Sequence, residues 1–196
     1  MAITALRQFE ITDRPWLVVD IIPIAPITFT EQKLNLSFHL RATNIGRSVA
    51  LNSIFSVRVI IPPLSNKISE GTFSLQSYVL SEQKRACQNI VTEFLSYSTF
   101  PGRAHEANHA FTLGPKDIER GHFPESRYVM IYLVGCVDYQ FSGFEGHHQT
   151  RFAYELYRLP KGKPYSMRSL LNIGEDVPLD EIVLQKTVMA DTDYAD

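Results

Sequence analysis

Apolar and polar residues alternate along 34–43. Leu34, Leu36, Phe38, Leu40 and Ala42 fall on one side, Asn35, Ser37, His39, Arg41 and Thr43 on the other. A period of two is that of a strand with one face in a core and one in water. Asn44-Ile45-Gly46 breaks the alternation with turn chemistry. Phe55, Val57, Val59 and Ile61 then resume it on a second strand, which Pro62-Pro63 ends. The turn between them predicts a hairpin-like crossover. Trp16 to Ile22 is an earlier strand closed by Pro23 and Pro26, and Ile27-Thr28-Phe29 is a short edge piece. Downstream, Ala110 to Leu113 predicts a short strand and Gly114 to Ser126 a polar loop. Tyr128 to Tyr139 is apolar on both faces, which predicts a central strand covered on both sides. A hairpin loop over 140–149 leads to a returning strand from Thr150 to Arg158.

Between these strands the period changes. Leu75, Val79, Ala86, Cys87, Ile90, Val91, Phe94 and Leu95 fall mostly three, four or seven apart, the stripe of an amphipathic helix over about 75–97. Ser74 is placed to cap it. That helix is the natural cover for the second face of the 128–139 strand. The pattern as a whole predicts an all-β fold with one inserted helix. It takes the form of an immunoglobulin-like antiparallel β-sandwich of about six to eight strands. The expected division is a lead-in at 1–13, a sandwich domain at 14–170 and an acidic, solvated tail at 171–196, in which Leu179, Ile182, Val183 and Leu184 could dock as a last short element.

Composition adds limits more than leads. A net charge of −2 over 196 residues lacks the basic excess of a nucleic-acid binder, so a nucleic-acid partner is not expected. No run of 18 or more apolar residues is present, and the first 16 residues lack the pattern of a signal peptide. The chain is therefore expected to be soluble as it stands. Two cysteines, Cys87 and Cys136, read as buried free thiols in a reducing compartment, with a single disulfide as the alternative.

Residues with chemistry to offer are few. His105 and His109 would share a face on a helix, but Pro101-Gly102 and Gly114 argue against a helix there. His147 and His148 are adjacent at a hairpin, where neighbouring residues point to opposite faces. These four histidines are weak metal candidates, and no cofactor is expected. Cys136 and Asp138 share a strand face, where apolar surroundings make a thiol inert rather than nucleophilic. Arg158, Lys161, Lys163 and Arg168, interleaved with Tyr154, Tyr157 and Tyr165, offer a basic contact surface for an anionic partner. The acidic tail can neutralise it. No phosphate loop, nucleophile elbow or Cys-x-x-Cys is present.

The segments RPWLVVD at 14–20, NIGRSVALN at 44–52, FPG at 100–102, and GCVDYQF with HHQTRFAYEL at 135–156, resemble a group of bacterial proteins of unknown function. In that group a transmembrane segment precedes an RPW-like strand and an immunoglobulin-like sandwich. The resemblance spans most of 14–158 and carries no catalytic residue. It implies a bacterial, membrane-associated module that works with a protein partner, its membrane contact made through an anchor not present in this chain. A non-catalytic interaction or sensing role is the expectation. Small-ligand or metal binding through the histidines is the first alternative, and anionic-surface binding through 158–168 the second.

Overall fold

A computed structural model describes residues 14–30, 33–63, 74–88, 90, 97–122, 126–142 and 146–187. The expected lead-in at 1–13 and the tail beyond 187 lie outside them. Two antiparallel sheets face each other. The first is built on β3 (Lys33–Asn44), with β1 (Leu17–Pro23) and β2 (Thr28–Thr30) along one side and β6 (Ala104–Leu113) along the other. Pro23 and Pro26 lack the N–H a ladder needs, so the chain breaks between β1 and β2 and rejoins β3 further along. In the second sheet the order is β11 (Ile182–Lys186), β9 (His148–Arg158), β8 (Ile131–Gln140), β4 (Ala50–Ile60) and β5 (Tyr97–Thr99).

The alternation of β3 decides which face is inward. Leu34, Leu36, Phe38, Leu40 and Ala42 are all at most 1% exposed and pack with Ile131, Leu133 and Val137 of β8. The opposite face of β8 is also buried, because α1 (Leu75–Gln88) lies across it. Val79 meets Tyr132, Val134 and Ala153 there, and Leu75 and Tyr78 pack at the margin. Full burial of a side chain such as Val79 contributes roughly 1.5–3 kcal/mol. The strand expected to be covered on both sides is so covered, and by the expected helix. Ser74 caps that helix, its Oγ accepting the Ser77 N–H at 3.2 Å.

The turn after β3 is a corner rather than a hairpin, since β3 and β4 belong to different sheets. Asn44 is fully buried and holds it. Its side-chain amide donates to the Ser48 carbonyl at 2.7 Å and the Thr99 carbonyl at 2.9 Å, and its Oδ1 accepts the Gly46 N–H at 2.9 Å. Gly102, at φ +71°, donates its N–H to the Asn44 carbonyl, and Ile45 donates to the Trp16 carbonyl. A Cβ on Gly46 would stand 2.4 Å from the Arg14 carbonyl oxygen, so this approach requires glycine. The segments RPW, NIG and FPG therefore meet at one point.

Several elements differ from the sequence reading. The helix ends at Gln88, not near 97, and the chain forms β5 at Tyr97–Thr99. Val91, Phe94 and Leu95 of the expected stripe lie outside the described residues. The strand expected at Ala110–Leu113 begins at Ala104, because His105, Ala107 and His109 occupy inward positions and hide the period of two. The 128–139 strand divides at Met130. Its first two residues form β7 (Tyr128–Val129) with β10 (Leu171–Asn172), and β8 turns to β4 and β9. Within the expected polar loop, α2 spans Pro115–Gly121. Much of the acidic segment is part of the fold, as β10 and β11, the second of these holding Ile182, Val183 and Leu184.

Candidate functional site

Around the C-terminus of α1 a polar network covers the outer face of the second sheet. A helix leaves its last carbonyls without intrahelical partners. Here Ser56 Oγ donates to the Ala86 carbonyl at 2.7 Å, and Gln149 Nε2 donates to the Cys87 carbonyl at 2.9 Å. Cys87 and Cys136 are joined as a disulfide with their Cα atoms 5.8 Å apart, which selects the alternative over two free thiols. Two residues on, the nearly buried Asp138 accepts the His147 Nδ1–H at 2.5 Å and a Gln149 amide N–H at 3.2 Å. With Nδ1 protonated, His147 Nε2 is an acceptor, and Gln140 Nε2 donates to it at 3.2 Å. Gln140 in turn accepts from Asn52 at 2.8 Å. An Asp–His pair is the form of a general base. In this setting its free lone pair is engaged by an amide, and the neighbouring cysteine is in a disulfide.

The four histidines do not converge. His147 lies on the outer side, whereas His148 packs against Tyr139 and Phe141, with ring centroids 5.9 and 4.9 Å away. His105 and His109 do share a face, as alternate positions of a strand rather than of a helix. Their rings sit between the sheets among Phe55, Tyr97 and Phe111. Burial lowers both histidines below their ordinary value, and the neighbouring His109 ring lowers His105 further. Among the described residues no three His, Cys, Asp or Glu side chains are grouped to hold a metal ion.

The basic stretch meets the acidic segment. Arg158 bonds Glu175 and, at 2.7 Å, Glu181, and Lys161 lies 3.1 Å from Asp180. The guanidinium holds the Glu175 carboxyl below the usual carboxylate range. Arg168 stacks over Tyr165 and Tyr157, 4.6 and 5.0 Å from the ring centroids. Of the four, Lys163 extends without a side-chain partner among the described residues.

Two clefts remain. One, of about 400 Å3, is lined by Arg58, Arg85, Arg120, Glu82 and Asp117 among others, and ion pairs from Glu82 to Arg58 and Arg85 already cross it. The other, of about 380 Å3, opens between α2, β2 and the turn at Ile173-Gly174. Phe29, Pro115, Ile118 and Ile173 form apolar walls, and Glu119, His122 and Arg127 add polar groups. We take this second cleft as the candidate site.

No family model, curated protein or solved structure matches this chain.

The cleft residues went unnoticed in the sequence because 114–126 reads as a polar loop. A signal was present. Pro115 occupies the first helical turn, and Asp117 Oδ2 accepts the Gly114 N–H at 3.4 Å, the pattern of a helix start. Nothing in the sequence brings Phe29 or Ile173 to that helix. Backbone pairing does so, with Ile27 bridged to Val177 and the Phe29 N–H donated to Asp176 Oδ1 at 2.8 Å.

Proposed function

We propose that the chain is a non-catalytic recognition module of the immunoglobulin-like kind that senses a small organic ligand in the α2 cleft. The observation that carries this reading is the composition of that cleft. Three stretches distant in sequence supply apolar walls and a few polar groups around about 380 Å3, the usual build of a small-molecule site. The engagement of Asp138, His147 and Cys136 in internal bonds favours recognition over catalysis. The resemblance of the RPW, NIG and GCVDY segments supports a place in a bacterial membrane-associated assembly, beside a protein partner.

Thermal-shift measurements on the full chain against a panel of small organic ligands test the reading. A ligand that raises Tm in the parent protein and fails to do so in a folded Ile118→Trp variant supports it. A panel in which no ligand separates the two proteins removes it.

A further inference from the structure

We infer that the α2 cleft takes a small zwitterion with an apolar body, of the α-amino-acid class, an inference that rests on the recognition reading above. Its walls carry two opposite charges that do not satisfy each other. Arg127 donates from Nη2 to the Ile173 carbonyl at 2.9 Å, and its Nε and Nη1 have no partner among the described residues. Glu119 uses its backbone carbonyl, accepting from His122 Nδ1 at 2.8 Å, while its carboxylate has no partner among the described residues. That same bond makes Nδ1 the protonated nitrogen of neutral His122, so Nε2 is an acceptor.

Gly174 keeps the guanidinium seated. The glycine holds φ +82°, which other residues adopt under strain, and a Cβ there would lie 3.0 Å from Arg127 Nη2. The turn therefore needs glycine for its backbone, and a Cβ there would crowd the tip of the arginine. Charge complementarity then selects the ligand. A carboxylate suits the free donors of Arg127, and an ammonium suits Glu119 and the His122 acceptor. The apolar body lies against Phe29, Pro115, Ile118 and Ile173. A simple carboxylate would face Glu119 with the wrong sign, and a simple amine would face Arg127.

Three probes differing by one charge test this by isothermal titration calorimetry on the full chain. They are L-phenylalanine, 3-phenylpropanoate, which lacks the ammonium, and phenethylamine, which lacks the carboxylate. Phenylalanine binds tightest, and each truncated probe loses about tenfold, the scale of one charge-assisted contact. Arg127→Gln removes the preference for phenylalanine over phenethylamine and leaves that over 3-phenylpropanoate. Glu119→Gln does the reverse. Both side chains are exposed, and circular dichroism checks that the variants fold. Equal binding of all three probes, or 3-phenylpropanoate binding as tightly as phenylalanine, overturns the zwitterion. If no probe binds while a panel ligand still distinguishes the Ile118→Trp variant, the ligand class alone falls. If no panel ligand does so either, the recognition reading falls with it.

Discussion

Replacing Asn44 by alanine tests the corner where three distant segments meet. The side chain is fully buried and makes three hydrogen bonds, to the Ser48 and Thr99 carbonyls and from the Gly46 N–H. Each such bond contributes about 1 kcal/mol net. The loss is therefore about 3 kcal/mol, and carbonyls left dry push it higher. Asn44→Asp keeps the shape and the acceptor but turns a carboxylate towards two carbonyl oxygens, so it destabilises at least as much. Urea unfolding followed by far-UV circular dichroism and by the fluorescence of Trp16, the one tryptophan, measures both. Trp16 is well placed, since its carbonyl accepts the Ile45 N–H at this corner. The midpoint falls with little change in slope, and Tm drops by roughly 6–12 °C for a chain of this size. A loss under about 1 kcal/mol for Asn44→Ala would mean that water replaces all three bonds, and would refute the role given to the corner.

Three further outcomes follow from the packing. Reducing the Cys87–Cys136 disulfide, which closes a separation of 49 residues, lowers stability by about 4 kcal/mol on the chain-entropy account, read as a drop in urea midpoint with and without dithiothreitol. His105 and His109 are held below their ordinary value of 6.5, so the unfolded chain takes up protons first as pH falls. Stability is thus full above that value, declines as pH drops through it and levels once the native rings are protonated. A His105→Gln/His109→Gln pair shows a flatter urea midpoint between pH 7.5 and 5, and an unchanged slope would count against the buried neutral rings. Gly46→Ala drives a Cβ into the Arg14 carbonyl and costs roughly 2 kcal/mol or more, measured by the same unfolding curves.

The regular elements were legible where one period ran uninterrupted. The inward set of β3, the double-sided strand at 131–140 and the helical stripe from Val79 to Cys87 needed nothing beyond spacing and polarity. Spacing failed where polar residues occupy inward positions. His105 and His109 hid six residues of β6, and Gln83, 2% exposed and bonded to the Phe152 carbonyl at 2.8 Å, sits in the buried stripe of α1 as if it were apolar. The candidate site was illegible for a different reason. Arg127 and Glu119 stand near each other in sequence, but their apolar complement, Phe29 and Ile173, arrives from opposite ends of the described chain, and no local pattern encodes that meeting.

The stretch from Val177 to Lys186 ties together margins of both sheets. Val177 exchanges backbone hydrogen bonds with Ile27 at the margin of the first sheet, and β11 extends the second sheet along β9. Both margins must exist before this seam can form, and its partners lie as far back as residue 27. During synthesis the seam emerges after both margins, so until then the backbone groups of Ile27 and of β9 stand as unpaired edges open to other chains. Closure by Val177 and β11 is then a late, long-range step that limits folding speed and ends the interval of greatest aggregation risk.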